Sequence, residues 1–194
     1  MTEPNNPVIE APAPPARSNH GLILAVALIA VLVLVADQCS KLLAVHQLTD
    51  RGRVDVIGSL FGFLLTRNAG AAFSTATGAT WLLTLIALVV VGTIIRFARQ
   101  LGSRGWAVAL GLLLGGALGN LSDRLFRAPG FFRGHVVDFL EFPHWPIFNL
   151  ADSAISVAAV LIALLSLRGI GLDGRRAGPA AGISTRPGSE VSDE

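Results

Sequence analysis

Four apolar runs dominate the chain, at residues 21–36, 79–95, 106–121 and 154–167, and none is long enough to cross a membrane by itself. A spanning helix needs about 20 largely apolar residues. Each run must therefore draw its flanks into the bilayer edge, and those flanks are polar. The first has to extend through Asp37, Gln38 and Lys41 towards Val45. The third has to take in Asn120 and, at its furthest reach, Asp123. The fourth has to start near Phe148, which brings in Asn149 and Asp152. Ionisable groups at such depth are costly and are functional candidates by default. Composition agrees with a membrane protein. Charged residues make up 14% of the chain, against about 25% in soluble domains, and the mean hydropathy is +0.62.

Four spans put both termini on one side. The short loop between the second and third spans holds Arg96, Arg99 and Arg104, and the stretch after the fourth holds Arg168, Arg175 and Arg176. The positive-inside rule makes these cytoplasmic, although the other side carries Arg51, Arg53, Arg67, Arg127 and Arg133. Trp81, Trp106 and Trp145 sit at span ends, as an interfacial belt requires. Every polar cluster then falls on the outer side. A transporter, with Asp152 or Asp37 as its proton site, would place such groups nearer the midplane. A scaffold would use them only for helix packing. A site at one interface suits chemistry on something that lies at the membrane surface.

Other chemistries have no footing. Cys39 is the only Cys, which excludes a disulfide framework and a Cys-based metal cluster. His20, His46, His135 and His144 are scattered, and no His-Glu-x-x-His, Gly-x-Ser-x-Gly or Walker A loop occurs. No metal or cofactor is expected. A net charge of +2 is too weak to argue for nucleic acid.

The chain divides into a tail at 1–20, a membrane domain at 21–168 and a second tail at 169–194. Five Pro in the first tail, and Gly, Ser, Pro and Arg in the second, predict disorder. Between the first two spans, residues 47–78 predict a small antiparallel sheet, from alternating Val54-Asp55-Val56 and from the run Leu60 to Thr66 broken by Gly62. The second outer segment, 125–147, opens with a Pro129-Gly130 turn and contains a strand-like run through Val136 to Phe139.

Asp37 and Lys41 are four apart and can pair on one helical face. They form either a satisfied ion pair or part of a site. Asn68 to Phe73 combines an amide with Gly70 and small residues, which suits either close approach of a ligand or a packed loop. Gly115 and Gly119 favour close helix packing. Asn120 and Arg124 share a face and can enter one polar pocket, whereas Asp123 points elsewhere. Asp138 and Asp152 each lie among apolar residues at the same membrane face. Two carboxylates meeting in a low-dielectric site share a proton, so one can act as base towards water while the other acts as acid. Spacing alone leaves open whether they meet.

Asp37-Gln38-x-x-Lys41, Asn68-x-Gly70-x-Ala72-Phe73, Gly119-Asn120-x-x-Asp123-Arg124, Val136-Val137-Asp138-Phe139 and Phe148-Asn149-x-Ala151-Asp152 occur in this order. Together, across about residues 22–167, they resemble the bacterial lipoprotein signal peptidases, signal peptidase II. The resemblance implies four transmembrane helices with a small outer β-sheet that cradles the substrate. It implies an aspartic endopeptidase of the inner membrane that cuts prolipoproteins on the amino side of a diacylglyceryl-modified Cys. Its partners would be those substrates and membrane lipid, a monomer would suffice, and globomycin would inhibit. The family's catalytic pair maps onto Asp138 and Asp152. Its polar shell maps onto Asn68, Gly70, Asn120, Arg124 and Asn149, with Asp123, Asp37 and Lys41 in support. The link from Arg124 to Asp138 is long for the family, and its Phe131-Phe132 pair either dips into the interface or forms a flap.

Overall fold

The computed structural model describes residues 19–70 and 80–176. Four helices in it are long and apolar enough to cross a membrane: α1 (His20–Leu48), α2 (Thr80–Ala98), α3 (Arg104–Phe126) and α4 (Leu150–Leu167). The polar flanks are helical, as the short apolar runs require. Asp37 and Lys41 lie within α1, and Asn120 and Asp123 within α3. Asn149 caps α4 from outside it, and Asp152 falls in the first turn. Leu32 on α1, Val89 on α2 and Val160 on α4 are exposed, as lipid-facing positions are.

Helix α3 is the hub, packing against each of the other three. Lipid supplies no hydrophobic drive between helices, so close backbone approach has to hold them. Glycines provide it. A Cβ on Gly115 would lie 2.6 Å from Cβ of Val33 on α1, and one on Gly116 would lie 2.5 Å from the Ala151 carbonyl on α4. The third side of α3 takes α2, where Ile94 and Ala98 join Leu110 and Leu114 in the main apolar core. Helices α2 and α4 thus flank α3 without packing closely on one another.

An antiparallel sheet, in the order β1-β2-β3, sits at the end of the bundle where α1 finishes. Its strands are β1 (Val54–Ile57), β2 (Phe61–Asn68) and β3 (Val136–Glu141). The first two pair antiparallel within 47–78, where a small antiparallel sheet is expected. The third comes from the second outer segment and pairs along β2, setting Thr66 opposite Asp138 and Asn68 opposite Val136. This long-range pairing carries Asp138 to the Asn68 end of β2. Phe63, Leu65 and Phe139 seat the sheet against Ala44 and Leu48 of α1.

Residues 169–176 turn back onto the start of α3. The Trp106 indole donates to the Ile170 carbonyl at 2.9 Å, and the Gly102 amide donates to the Leu172 carbonyl at 2.8 Å. This stretch, expected to begin the second tail, is ordered. Residues 1–18 and 177–194, where the tails are expected, lie outside the described residues.

Candidate active site

Two linked polar clusters occupy the sheet end of the bundle. The first is built on the single lysine. Lys41 has a completely buried ammonium with three hydrogens and three acceptors. It meets Asp37 Oδ2 at 2.8 Å, Asp123 Oδ2 at 2.9 Å and Asn120 Oδ1 at 3.0 Å. Both carboxylates are fully used. Asp37 Oδ1 accepts the Ala151 amide of α4 at 2.9 Å. Asp123 accepts the Arg127 guanidinium on Oδ1 and the Val137 amide of β3, at 3.1 Å, on Oδ2. The Gln38 amide donates to the Gly119 carbonyl at 3.1 Å and to Asp123 at 3.3 Å. This cluster ties α1, α3, α4 and β3 together. It fixes the strand at Val137, the residue before Asp138.

A Cβ on Gly119 would lie 2.5 Å from Asp37 Oδ2, so glycine lets the carboxylate enter between the helices.

The second cluster holds the other two carboxylates. Asp138 is 2% exposed. It accepts the Asn149 amide on Oδ1 at 2.6 Å and the Asn68 amide on Oδ2 at 2.9 Å. Asp152 Oδ1 accepts the Asn120 amide at 2.7 Å, and its Oδ2 accepts the Asn149 backbone N–H at 3.3 Å. Asn149 also donates to Asn120 Oδ1 at 3.1 Å. Two amides therefore bridge the carboxylates. The local cause is a capping box: Asn149 accepts the Asp152 backbone N–H at 3.0 Å while Asp152 accepts that of Asn149. Such a box satisfies the orphan donors at a helix start. Here it also orients both side chains.

Asn68 is set by its own turn. Its Oδ1 accepts the Gly70 N–H at 2.7 Å. Gly70 has φ +114°, a conformation open to glycine, and a Cβ there would meet Leu83 at 2.5 Å. The rest of that motif, residues 71–73, lies outside the described residues. Arg124 stands on the Asn120 face of α3, within electrostatic reach of Asp138, Asp123 and Asp152. Its Nη1 is buried and has no hydrogen-bond partner among the described residues.

Burial lifts the Asp138 carboxyl from its usual 3.8 to about 6. The Asn68 amide opposes the rise, the Asp152 charge adds to it, and the Asn149 amide and Lys41 oppose it. Below pH 3.8 the folded and unfolded states both hold this proton, and the stabilising contribution is fully present. It is lost as pH rises from about 4 through about 6, where the unfolded chain ionises first. The separation corresponds to about 3 kcal/mol at most. The melting temperature in detergent should therefore carry a falling component across this window that Asp138→Asn removes. An identical pH profile in the variant would refute it.

Every position expected at the site lies at this one end of the fold. Two contributors carried no assigned role in the sequence. Gln38 stands inside the first motif, and Arg127 stands four residues after Asp123, the spacing of a helical ion pair. Residues 128–134 bridge towards α2, where Thr84 Oγ1 donates to the Phe132 carbonyl at 3.0 Å. Phe131 is exposed and packs edge-on against Phe132.

A family model described as signal peptidase (SPase) II matches residues 29–168. A lipoprotein signal peptidase of Rhodococcus jostii (strain RHA1) is 51% identical over 166 residues, 86% of this chain and 84% of that one. One from Mycobacterium tuberculosis (strain ATCC 25618 / H37Rv) is 50% identical over 176 residues, 90% of this chain and 82% of that one. A bacterial membrane enzyme solved by the in meso method at 1.9 Å resolution superposes with a TM-score of 0.67 at 30% identity, covering 75% of this chain and 94% of its own. With four apolar helices and a three-stranded antiparallel sheet, the chain is a multi-pass membrane protease and belongs to the signal peptidase II family, the aspartic peptidases that process prolipoproteins.

Proposed function

We propose that Asp138 and Asp152 are the catalytic pair and that the chain cuts prolipoproteins on the amino side of a diacylglyceryl-modified Cys, at the extracytoplasmic face. One observation carries the assignment: Asn149 and Asn120 hold the two carboxylates as neighbours, at 2.6 Å and 2.7 Å. Asp37 and Asp123, by contrast, are occupied by Lys41, Arg127 and backbone amides.

Asp138, the more deeply buried of the two, is assigned the shared proton. Asp152, which is less buried, takes a proton from the attacking water as Asp138 protonates the scissile carbonyl oxygen. The resulting tetrahedral diol collapses. Asp152 returns its proton to the departing amine, the C–N bond breaks, and Asp138 recovers a proton from the hydroxyl. Arg124, whose buried Nη1 is unpaired among the described residues, steadies the carbonyl oxygen as charge builds there. Arg124→Ala should lower kcat by about 10- to 100-fold with little change in KM, measured in steady state. Unchanged turnover would refute that role.

Asn68 and Asn149 hold Asp138, and Gly70 sets the turn that aims Asn68. Asp37, Lys41 and Asp123 support the site by fixing α4 and β3. The Arg-rich ends at Arg96, Arg99 and Arg104, and at Arg168, Arg175 and Arg176, support a cytoplasmic placement of both termini. The acyl chains on the substrate Cys then anchor the scissile bond at the depth of the site. The chain works as a monomer, since one copy carries both carboxylates. The test is cleavage by the purified protein of one prolipoprotein with and without the diacylglyceryl group. Cleavage of the lipidated form alone is expected, and equal cleavage of both would contradict lipid recognition.

A further inference from the structure

Helix α2 rests on α3 without packing closely on α1, and the gap between α1 and α2 opens at the Arg-rich end of the bundle, far from the carboxylates. A groove of about 340 Å³ lies there, with Ile23 and Ala27 of α1, Ile95 of α2, Arg99 just after α2 and Leu114 of α3 among its walls. Its mouth is pinned rather than slack. The Asn19 side-chain amide, one residue before α1, donates to the Arg99 carbonyl at 2.6 Å. Every lining residue is apolar except Arg99, which is exposed at the mouth. Among the described residues the one carboxylate at this end is Asp173, and it pairs with Arg175 at 3.6 Å. Arg96 and Arg104 stand at the same end, in the last turn of α2 and the first of α3. The site thus combines an apolar trough with a guanidinium at its rim.

We propose that this groove holds one phospholipid with an anionic head group, drawn from the leaflet at the Arg-rich end, with an acyl chain between α1 and α2 and its phosphate on Arg99. The inference is independent of the peptidase reading. Depth selects an acyl chain over a helix that crosses the bilayer. Leu114, the deepest lining residue, lies about 15 Å along the axis from Arg104, where α3 begins. Ala27 lies about 10 Å from the start of α1. One leaflet supplies about 15 Å of hydrocarbon, half of a core about 30 Å thick, so the groove has the depth of a single leaflet. Charge selects the head group. A guanidinium can grip a phosphate through two parallel N–H···O bonds. A zwitterionic head group would bring its own cation to an end already rich in arginine, whereas an anionic one adds only favourable charge.

The test is native mass spectrometry of the full chain, released from mixed micelles that hold phosphatidylglycerol and phosphatidylcholine in equal amounts. One phosphatidylglycerol per chain should be retained, at least about tenfold in excess over phosphatidylcholine. Equal retention of the two lipids, or retention of neither, would overturn the proposal. Arg99→Gln should lower phosphatidylglycerol retention at least about fivefold. Arg168→Gln removes the same charge at the same end but outside the groove, and should leave retention unchanged. Equal losses in the two variants would mean a general attraction of anions to a basic surface, and would overturn the site. Ala27→Trp keeps every charge and fills the trough. It should lower retention as far as Arg99→Gln does, and unchanged retention would overturn the seat of the acyl chain. Ala27 and Arg99 are exposed, and Arg99→Gln keeps the carbonyl that Asn19 grips, so both variants should melt with the wild type in detergent free of phospholipid.

Discussion

Replacing Lys41 with Met should destabilise the protein by about 3–5 kcal/mol, the range for breaking a buried ion pair by removing one partner. The ammonium is completely buried and spends its three hydrogens on Asp37, Asp123 and Asn120. Met fills a similar volume but donates nothing. Two buried carboxylates then face each other across the α1–α3 contact with only Arg127 in compensation. The pair need not be a net source of stability, because desolvating such charges offsets most of their attraction. The cost lies in leaving the partners behind. Adding Asp37→Asn to Lys41→Met should therefore recover part of the loss, a non-additivity expected of residues in one network. Thermal melting in detergent reads both. A Lys41→Met protein that melts with the wild type would show that the cluster is not the clamp described above.

Asp138→Asn and Asp152→Asn should each lower turnover by about 10³-fold or more, because neither acid nor base can be supplied by what remains. The substitutions are nearly isosteric, and the protein should still fold and bind substrate. Asp123→Asn separates support from chemistry. Asp123 accepts from Lys41, Arg127, Gln38 and the Val137 amide. Its loss should lower the melting temperature and reduce activity through the position of β3, leaving measurable cleavage in the folded fraction.

Much of this arrangement is legible in the residues. Apolar runs too short to span force Asp37, Lys41, Asn120, Asp123 and Asp152 into helices, and the helices contain them. Spacing of four foretells the Asp37–Lys41 pair, and the Gly115–Gly119 spacing foretells close helix packing, whose partner, α1, the structure supplies. What spacing cannot supply is the long-range pairing of β2 with β3, because strand partners are chosen by tertiary packing. That pairing brings Asp138 beside Asn68. Proximity of Asp138 to Asp152 depends likewise on a capping box whose side chains turn inward. The roles of Gln38 and Arg127 were hidden for a simpler reason: a polar residue near a span end looks like a solvated flank until its partners are known.

The most direct test of the catalytic assignment is single-turnover cleavage of a diacylglyceryl-modified prolipoprotein by folded wild-type, Asp138→Asn, Asp152→Asn and Asp123→Asn proteins, at saturating substrate and with binding measured alongside. The expected result is cleavage by the wild type, residual cleavage by Asp123→Asn, and bound but uncut substrate with the other two. Cleavage retained by Asp138→Asn or by Asp152→Asn would contradict the assignment.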